Sequence, residues 1–185
     1  MTRKRFLATA TTTAAGLPFV AHRATARVPA TGKKPPSQST VPPRIVRADE
    51  GMPYAVLGTK MTHKLTGTDT DGQMMWLEDH NPPGAQIPPH VHTREDEVFR
   101  VLEGEVEFVI GNGDPLRLGP GDIAFAPRDI PHSWKVVSDT PARTIMTATP
   151  AGIEHMFAEL GGLPEGPPDF PKVAEICARY GITFI

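Results

Sequence analysis

Turn-forming residues punctuate this 185-residue chain so densely that a long helix has few places to run: 17 glycines and 21 prolines make up about one residue in five. Both residues disfavour helix interiors, and both suit the bends between short strands. From Arg44 onward, short apolar runs alternate with turn signals. Residues 54–57, 74–77, 98–102, 106–110, 123–126, 133–137 and 143–148 have the length and make-up of strands. Between them lie Asp71-Gly72, Glu103-Gly104, Gly111-Asn112-Gly113 and Gly119-Pro120-Gly121, the chemistry of hairpins and tight bends. An all-β body, a sandwich or small barrel, is expected over residues 44–150.

After Pro150 the hydrophobic period changes. Ile153, Met156, Phe157 and Leu160 recur at helical spacing before Gly161, and Val173, Ile176, Cys177 and Tyr180 repeat the pattern before Gly181. Two short amphipathic helices are therefore expected to close the chain over residues 151–185. Cys177 lies on the apolar stripe of the second, where core packing is the expected role.

Charge and cysteine content narrow the partners. With 19 basic against 21 acidic residues the chain has no basic stripe to displace counterions from nucleic acid, so nucleic-acid binding is not expected. A single cysteine excludes an internal disulfide, a cysteine-based zinc site and an iron–sulfur cluster. Any metal must be held by nitrogen and oxygen.

Residues 1–26 read as an address. Arg3, Lys4 and Arg5 precede Phe6-Leu7 and a mild Ala/Thr-rich stretch without acids, and Ala24, Thr25 and Ala26 form a small-x-small cleavage signature. The segment is too short and too threonine-rich to span a bilayer, so export to the periplasm or outside is expected, without a membrane anchor. TRKRFL resembles the twin-arginine signal pattern, with Lys4 in place of the usual second arginine. Cleavage after Ala26 removes four basic residues and leaves 15 basic against 21 acidic, an acidic working protein. Residues 27–43, with five prolines and almost no large apolar side chains, read as a linker.

The segment PPGAQIPPHVHTREDEVFRVLEGE carries the densest chemistry. In an extended chain His90 and His92 project to one face with Cα atoms about 6.6 Å apart, within reach of one ion. Five residues on, Glu97 opens a strong strand pattern in which alternation aligns it with Phe99 and Val101, the expected interior face. Pro88 and Pro89 stiffen the approach to His90. In LGPGDIAFAPRDIPHSWKVV a third imidazole, His132, follows Pro131 at the head of a strand that places Trp134 on the same face. Phe99 and Trp134 are the expected aromatic walls of a substrate pocket beside the ion.

These two segments resemble the two signature motifs of the cupin family. Gly84, His90, His92, Glu97 and Gly104 match the first at every position; Gly121, Pro127 and His132 match the second, with Asp129 at its second glycine and Val136 at its terminal asparagine. Asp tolerates a left-handed backbone better than most residues, so the first departure is mild, and neither falls on an expected ligand. The segments TGTDTDG, PPHVHTREDEVF, PGDIAFAPRDIPH and TPAGIEHMFAELGG are most similar to bacterial single-domain cupins related to quercetin dioxygenase. The resemblance implies a double-stranded β-helix, a jelly-roll barrel, holding one mononuclear metal on His90, His92, Glu97 and His132.

Three neutral imidazoles and one carboxylate around a divalent ion leave a local charge of about +1, which favours an anionic oxygen ligand. Iron, manganese, nickel, cobalt or copper would suit this set, and zinc is a further possibility. The leading expectation is a dioxygenase-type oxidoreductase on a small aromatic or enolic oxygen compound, with dioxygen as co-substrate and Glu97 doubling as the base. Two rivals stand beside it: a cupin that binds metal or a small ligand without turnover, and a redox-neutral isomerase or lyase on the same ion. Pairing of edge strands would allow a homodimer.

Other polar residues are assigned bland roles. His63 is expected in solvent, His80 in a loop and His155 on a helix surface, while Arg94, Glu95 and Asp96 read as a solvated charge run. Met74, Met75, Trp76 and Phe125 read as core.

Overall fold

The computed structural model describes residues 40–164 and 166–185; the expected export signal and most of the linker lie outside them. Eleven strands and three helices follow in chain order: β1 (Met52–Val56), β2 (Thr59–Leu65), α1 (Gly67–Thr70), β3 (Met75–Asn81), β4 (Gln86–His92), β5 (Asp96–Glu103), β6 (Val106–Ile110), β7 (Leu116–Leu118), β8 (Ile123–Ala126), β9 (His132–Val136), β10 (Ala142–Thr149), α2 (Glu154–Gly161), α3 (Phe170–Arg179) and β11 (Ile182–Phe184).

The strands form two antiparallel sheets, one ordered β1-β2-β3-β10-β5-β8 and the other β11-β4-β9-β6-β7. This is the double-stranded β-helix expected from the sequence. Alternation sets the faces. In β10, Ala142, Thr144, Met146 and Ala148 are buried and their neighbours are not; in β5 the buried set is Glu97, Phe99 and Val101. Met75, Leu77, Val101, Val106 and Val136 fill the space between the sheets.

A left-handed backbone recurs at the turns, and two such positions bear directly on the site. Gly104, at φ 76, closes the β5–β6 turn, and a Cβ there would sit 2.8 Å from the Cα of Ala142. No side chain fits that approach. Asp129, standing where the motif has glycine, adopts φ 64, and its N–H donates to the His92 carbonyl at 2.7 Å. The turn before the second motif's histidine is thereby tied to the strand carrying the first motif's pair.

The last segment departs from expectation. The two helices form, with α3 started by Asp169, whose carboxylate accepts from the Lys172 N–H at 3.1 Å. The chain then does not end in a helix. Gly181 (φ 84) turns it into β11, which pairs with β4 so that Ile182 lies opposite His92 and Phe184 opposite His90. A three-residue strand is too short to give a periodic signal.

β2 also falls outside the expected strands, because TKMTHKL is mostly polar, with only Met61 and Leu65 apolar. A register shift lies between His63 and Leu65, and two consecutive residues there, His63 and Lys64, are buried. His63 is not solvated but buried, 4.7 Å from the Tyr54 ring and 5.8 Å from that of Phe157. Lys64 is buried beside it, its ammonium donating to the carbonyls of Ala48 and Glu50 at 2.6 Å each. His80 lies on β3 rather than in a loop, on the outer face, and His155 is exposed. Phe125 is not core: Ala124 and Ala126 take the inward positions of β8, leaving Phe125 55% exposed.

Candidate metal centre

The first motif straddles both sheets. His90 and His92 are on β4, in the five-stranded sheet, while Glu97 is on β5, in the six-stranded one. His132, at the head of β9, lies directly opposite His90 in the β4–β9 ladder, with ring centroids 4.2 Å apart. All four side chains are buried, and their ligand atoms all lie within 4.8 Å of one another. The Glu97 carboxylate oxygen Oε2 is 3.0 Å from His132 Nε2 and 3.5 Å from His92 Nε2.

These separations suit a shared ion. Nitrogen and oxygen ligands bonded at about 2.1 Å and at right angles stand about 3 Å apart. The opposite edge of each ring faces an acceptor outside the cluster. His90 Nδ1 donates to the Pro88 carbonyl at 2.9 Å, His132 Nδ1 is 3.4 Å from the Ile130 carbonyl, and His92 Nδ1 is 3.5 Å from Glu95 Oε2. A proton held on Nδ1 leaves Nε2 free for a metal, the outer arrangement that orients ligating histidines.

The proline pair explains part of this geometry. Pro88 and Pro89 lack N–H groups, and the β4–β9 register shifts between Ile87 and His90. The freed Pro88 carbonyl accepts from His90, and that of Pro89 accepts from the N–H of Ile185 at 3.0 Å.

Burial and neighbouring charge divide the protonation states. Burial, with the nearby charges of His132 and His92, lowers His90 to about 4, so its ring is neutral and able to ligate. Burial also acts downward on His92, yet Glu95 and Glu97 outweigh it and raise its pKa. Burial would raise Glu97; the His132 hydrogen bond and the surrounding imidazoles prevail and lower it.

The run Arg94-Glu95-Asp96 is not a solvated stretch. Glu95 is buried behind His92, and Arg94 donates to the Arg179 carbonyl at 2.8 Å. Asp96 is gripped by the Arg128 guanidinium at 2.8 and 3.0 Å and by the Arg128 N–H at 2.9 Å, which holds its carboxyl down to about 2. This clamp joins the loop before His132 to the start of β5. Run composition gave no hint of it, because each partner is distant in sequence.

The cluster opens into a cavity of about 520 Å³ between the sheets and helices α2 and α3. Phe99 and Trp134 line it, as expected, together with Met146, Phe157 and Phe184. Cys177 is buried on α3 and also borders this space. Two further polar side chains on the wall escaped the sequence reading: Asp79 and Asn81 on β3. Alternation along MWLEDHN places them on the face of Met75 and Leu77, so polar residues continuing an apolar face were the available signal.

Residues 79–148 match the Cupin domain family. Quercetin 2,3-dioxygenase of Bacillus subtilis is 28% identical over 128 residues, 64% of this chain and 37% of that protein. Dimethylsulfoniopropionate lyase DddQ of Ruegeria pomeroyi is 44% identical over 54 residues, 29% of this chain and 26% of the lyase. The chain thus spans well under two thirds of either relative. Among solved structures, KdgF from Halomonas sp. superposes with a TM-score of 0.54 at 23% identity, covering 60% of this chain and 99% of that one, a likeness of fold.

Proposed function

From the premise that this chain belongs to the cupin superfamily, we propose that it is a metal-dependent oxidoreductase of the dioxygenase type, acting on a small aromatic or enolic oxygen compound. The observation that carries the reading is the position of the His90, His92, Glu97 and His132 cluster at the edge of a largely apolar cavity. A divalent first-row ion, when bound, supplies Lewis acidity and redox capacity.

The chain's own residues supply the rest. Three neutral imidazoles and one carboxylate leave a positive field of about one charge with a divalent ion, which draws an enolate or phenolate oxygen toward the cluster. Phe99 and Trp134 hold an aromatic ring by apolar contact on a largely apolar wall. Glu97, the buried carboxylate of the set, takes the substrate's hydroxyl proton on an oxygen. The similarity to quercetin 2,3-dioxygenase supports the dioxygenase reading.

An oxygen-electrode assay tests this, with protein loaded in turn with iron, manganese, nickel, cobalt and copper against flavonols, diketones and catechols. Oxygen consumption dependent on both metal and substrate is expected. The local similarity to the lyase favours a second reading, redox-neutral cleavage on the same cluster, for which turnover would persist without oxygen. Binding with no turnover under either condition leaves a ligand-binding cupin. We place the protein outside the cytoplasm on the pattern of residues 1–26. N-terminal sequencing of protein recovered from its host, expected to begin at Arg27, checks that placement.

A further inference from the structure

Outside the His/Glu cluster, the cavity gives a ligand little to hydrogen-bond. Of the other polar side chains that border it, Gln86 is exposed and Thr59 half-buried, both at its mouth, while Asn81 is 1% exposed and Asp79 Oδ1 is inaccessible. Most of the remaining wall is hydrocarbon, aromatic or sulfur. Helices α2 and α3 supply much of it, through Met156, Phe157 and Leu160 on the first and Val173, Ala174 and Cys177 on the second. The apolar lining continues past the buried residues to the rim, where Leu57 is 42% and Phe170 70% exposed. Leu57 stands there against its backbone preference. The β1–β2 hairpin turns on Leu57-Gly58, both at positive φ, 51 and 85, and such a turn favours asparagine or glycine at its first position. A leucine at φ 51 is strained, and strain of this kind is retained where the side chain has a task.

A cavity of about 520 Å³ with one charged corner and apolar walls elsewhere matches a ligand divided in the same way. We propose that the site takes one-headed amphiphiles: compounds with a single anionic oxygen function, held at the cluster, and an unsubstituted hydrocarbon body that lies against α2 and α3 and reaches the rim at Leu57 and Ala174. Each methylene moved from water onto such a wall is worth about fourfold in affinity. A hydroxyl or ether oxygen on that body would lose its water and gain no partner, at a cost of about tenfold. Compounds that are polar along their length are therefore excluded. The head-group end of this assignment rests on the function proposed above; the hydrocarbon end rests on the walls alone.

Three probes with one head test this: 2,4-pentanedione, 2,4-undecanedione, and the undecanedione with an ether oxygen in place of its eighth carbon. Binding of each to cobalt-loaded full-length protein is measured by calorimetry without oxygen. The longer chain should bind about 100-fold tighter than pentanedione, less than the sum of its transfer gains because the chain loses freedom when bound. The ether oxygen should forfeit about tenfold of that gain. Ala174→Trp narrows the rim from α3 and should cut the gain about tenfold. Leu57→Asn should cut it about threefold while the melting temperature holds or rises, because asparagine tolerates the left-handed turn. An intact gain in both variants, or a lower melting temperature for Leu57→Asn, would overturn the proposal. Equal binding of the three probes would also overturn it while leaving the metal-centred reading in place. Undecanedione affinity that is unchanged when cobalt is removed would uphold the hydrocarbon site and sink the metal-centred reading.

Discussion

The two polar regions of the cavity wall differ in how far their buried groups are paired. In the His/Glu cluster, His90 Nδ1 and His132 Nδ1 face the Pro88 and Ile130 carbonyls, while His92 Nδ1 and Glu95 Oε2 lie 3.5 Å apart without a hydrogen bond. On β3, Asp79 Oδ1 and Asn81 Oδ1 are buried without a hydrogen-bond partner. The first region is preorganised from behind, as a resident ion requires, since ligand orientation must precede binding. Sequence spacing alone could not separate these cases, because both consist of inward polar residues on alternating strands.

Removing a ligand should have the largest effect. His132→Ala deletes the group that links Glu97 to β9 and leaves a buried carboxylate short of a partner. Bound metal in the purified protein, measured by elemental analysis, should fall from about one ion per chain to near zero. Retention of full metal content would break the assignment of the cluster.

The opposite region should respond to pH. Burial, with a contribution from the charges of Glu97 and Glu78, raises Asp79 to about 7, against an opposing hydrogen bond from Thr144. Between about pH 4 and 7 the unfolded chain has released this proton while the folded chain retains it. Folded stability therefore falls as pH rises through that window, and the loss is complete above about 7. Asp79→Asn should remove the loss, unfolding at pH 8 with a free energy on the order of a few kcal/mol above the parent's, with the difference shrinking toward pH 4. A pH-independent difference between the two proteins would show that Asp79 ionises normally.

A smaller effect is expected behind the ligands. Glu95→Gln keeps the size of the side chain but removes the charge facing His92 Nδ1. Metal affinity should weaken about 10- to 100-fold, measured by competition with a chelator, while the barrel melts normally without metal. An unchanged affinity would confine preorganisation to His90 and His132 and narrow the contrast between the two regions.

Much of the architecture was legible because strand alternation is a local property. The spacing of His90, His92 and Glu97, and the face shared by Glu97, Phe99 and Val101, follow from a side-chain period of two along an extended chain. Recognition of both motifs added His132, which lies 35 residues beyond its Glu97 partner. Where local pattern carried no signal, the reading failed. β2 is mostly polar and contains a register shift, β11 is three residues long, and Glu95 looks like solvent-facing charge until His92 is placed against it.

The sequence by itself determined that the chain is β-rich, that any metal it binds must be held by nitrogen and oxygen, and which residue types gather in its two motifs. Tertiary structure decided which charges are buried, which oxygens lack partners and how large a space the cluster faces. The physical reason is range. Backbone conformation and strand facing are set by neighbours along the chain, whereas desolvation and pairing depend on groups brought together from strands far apart in sequence.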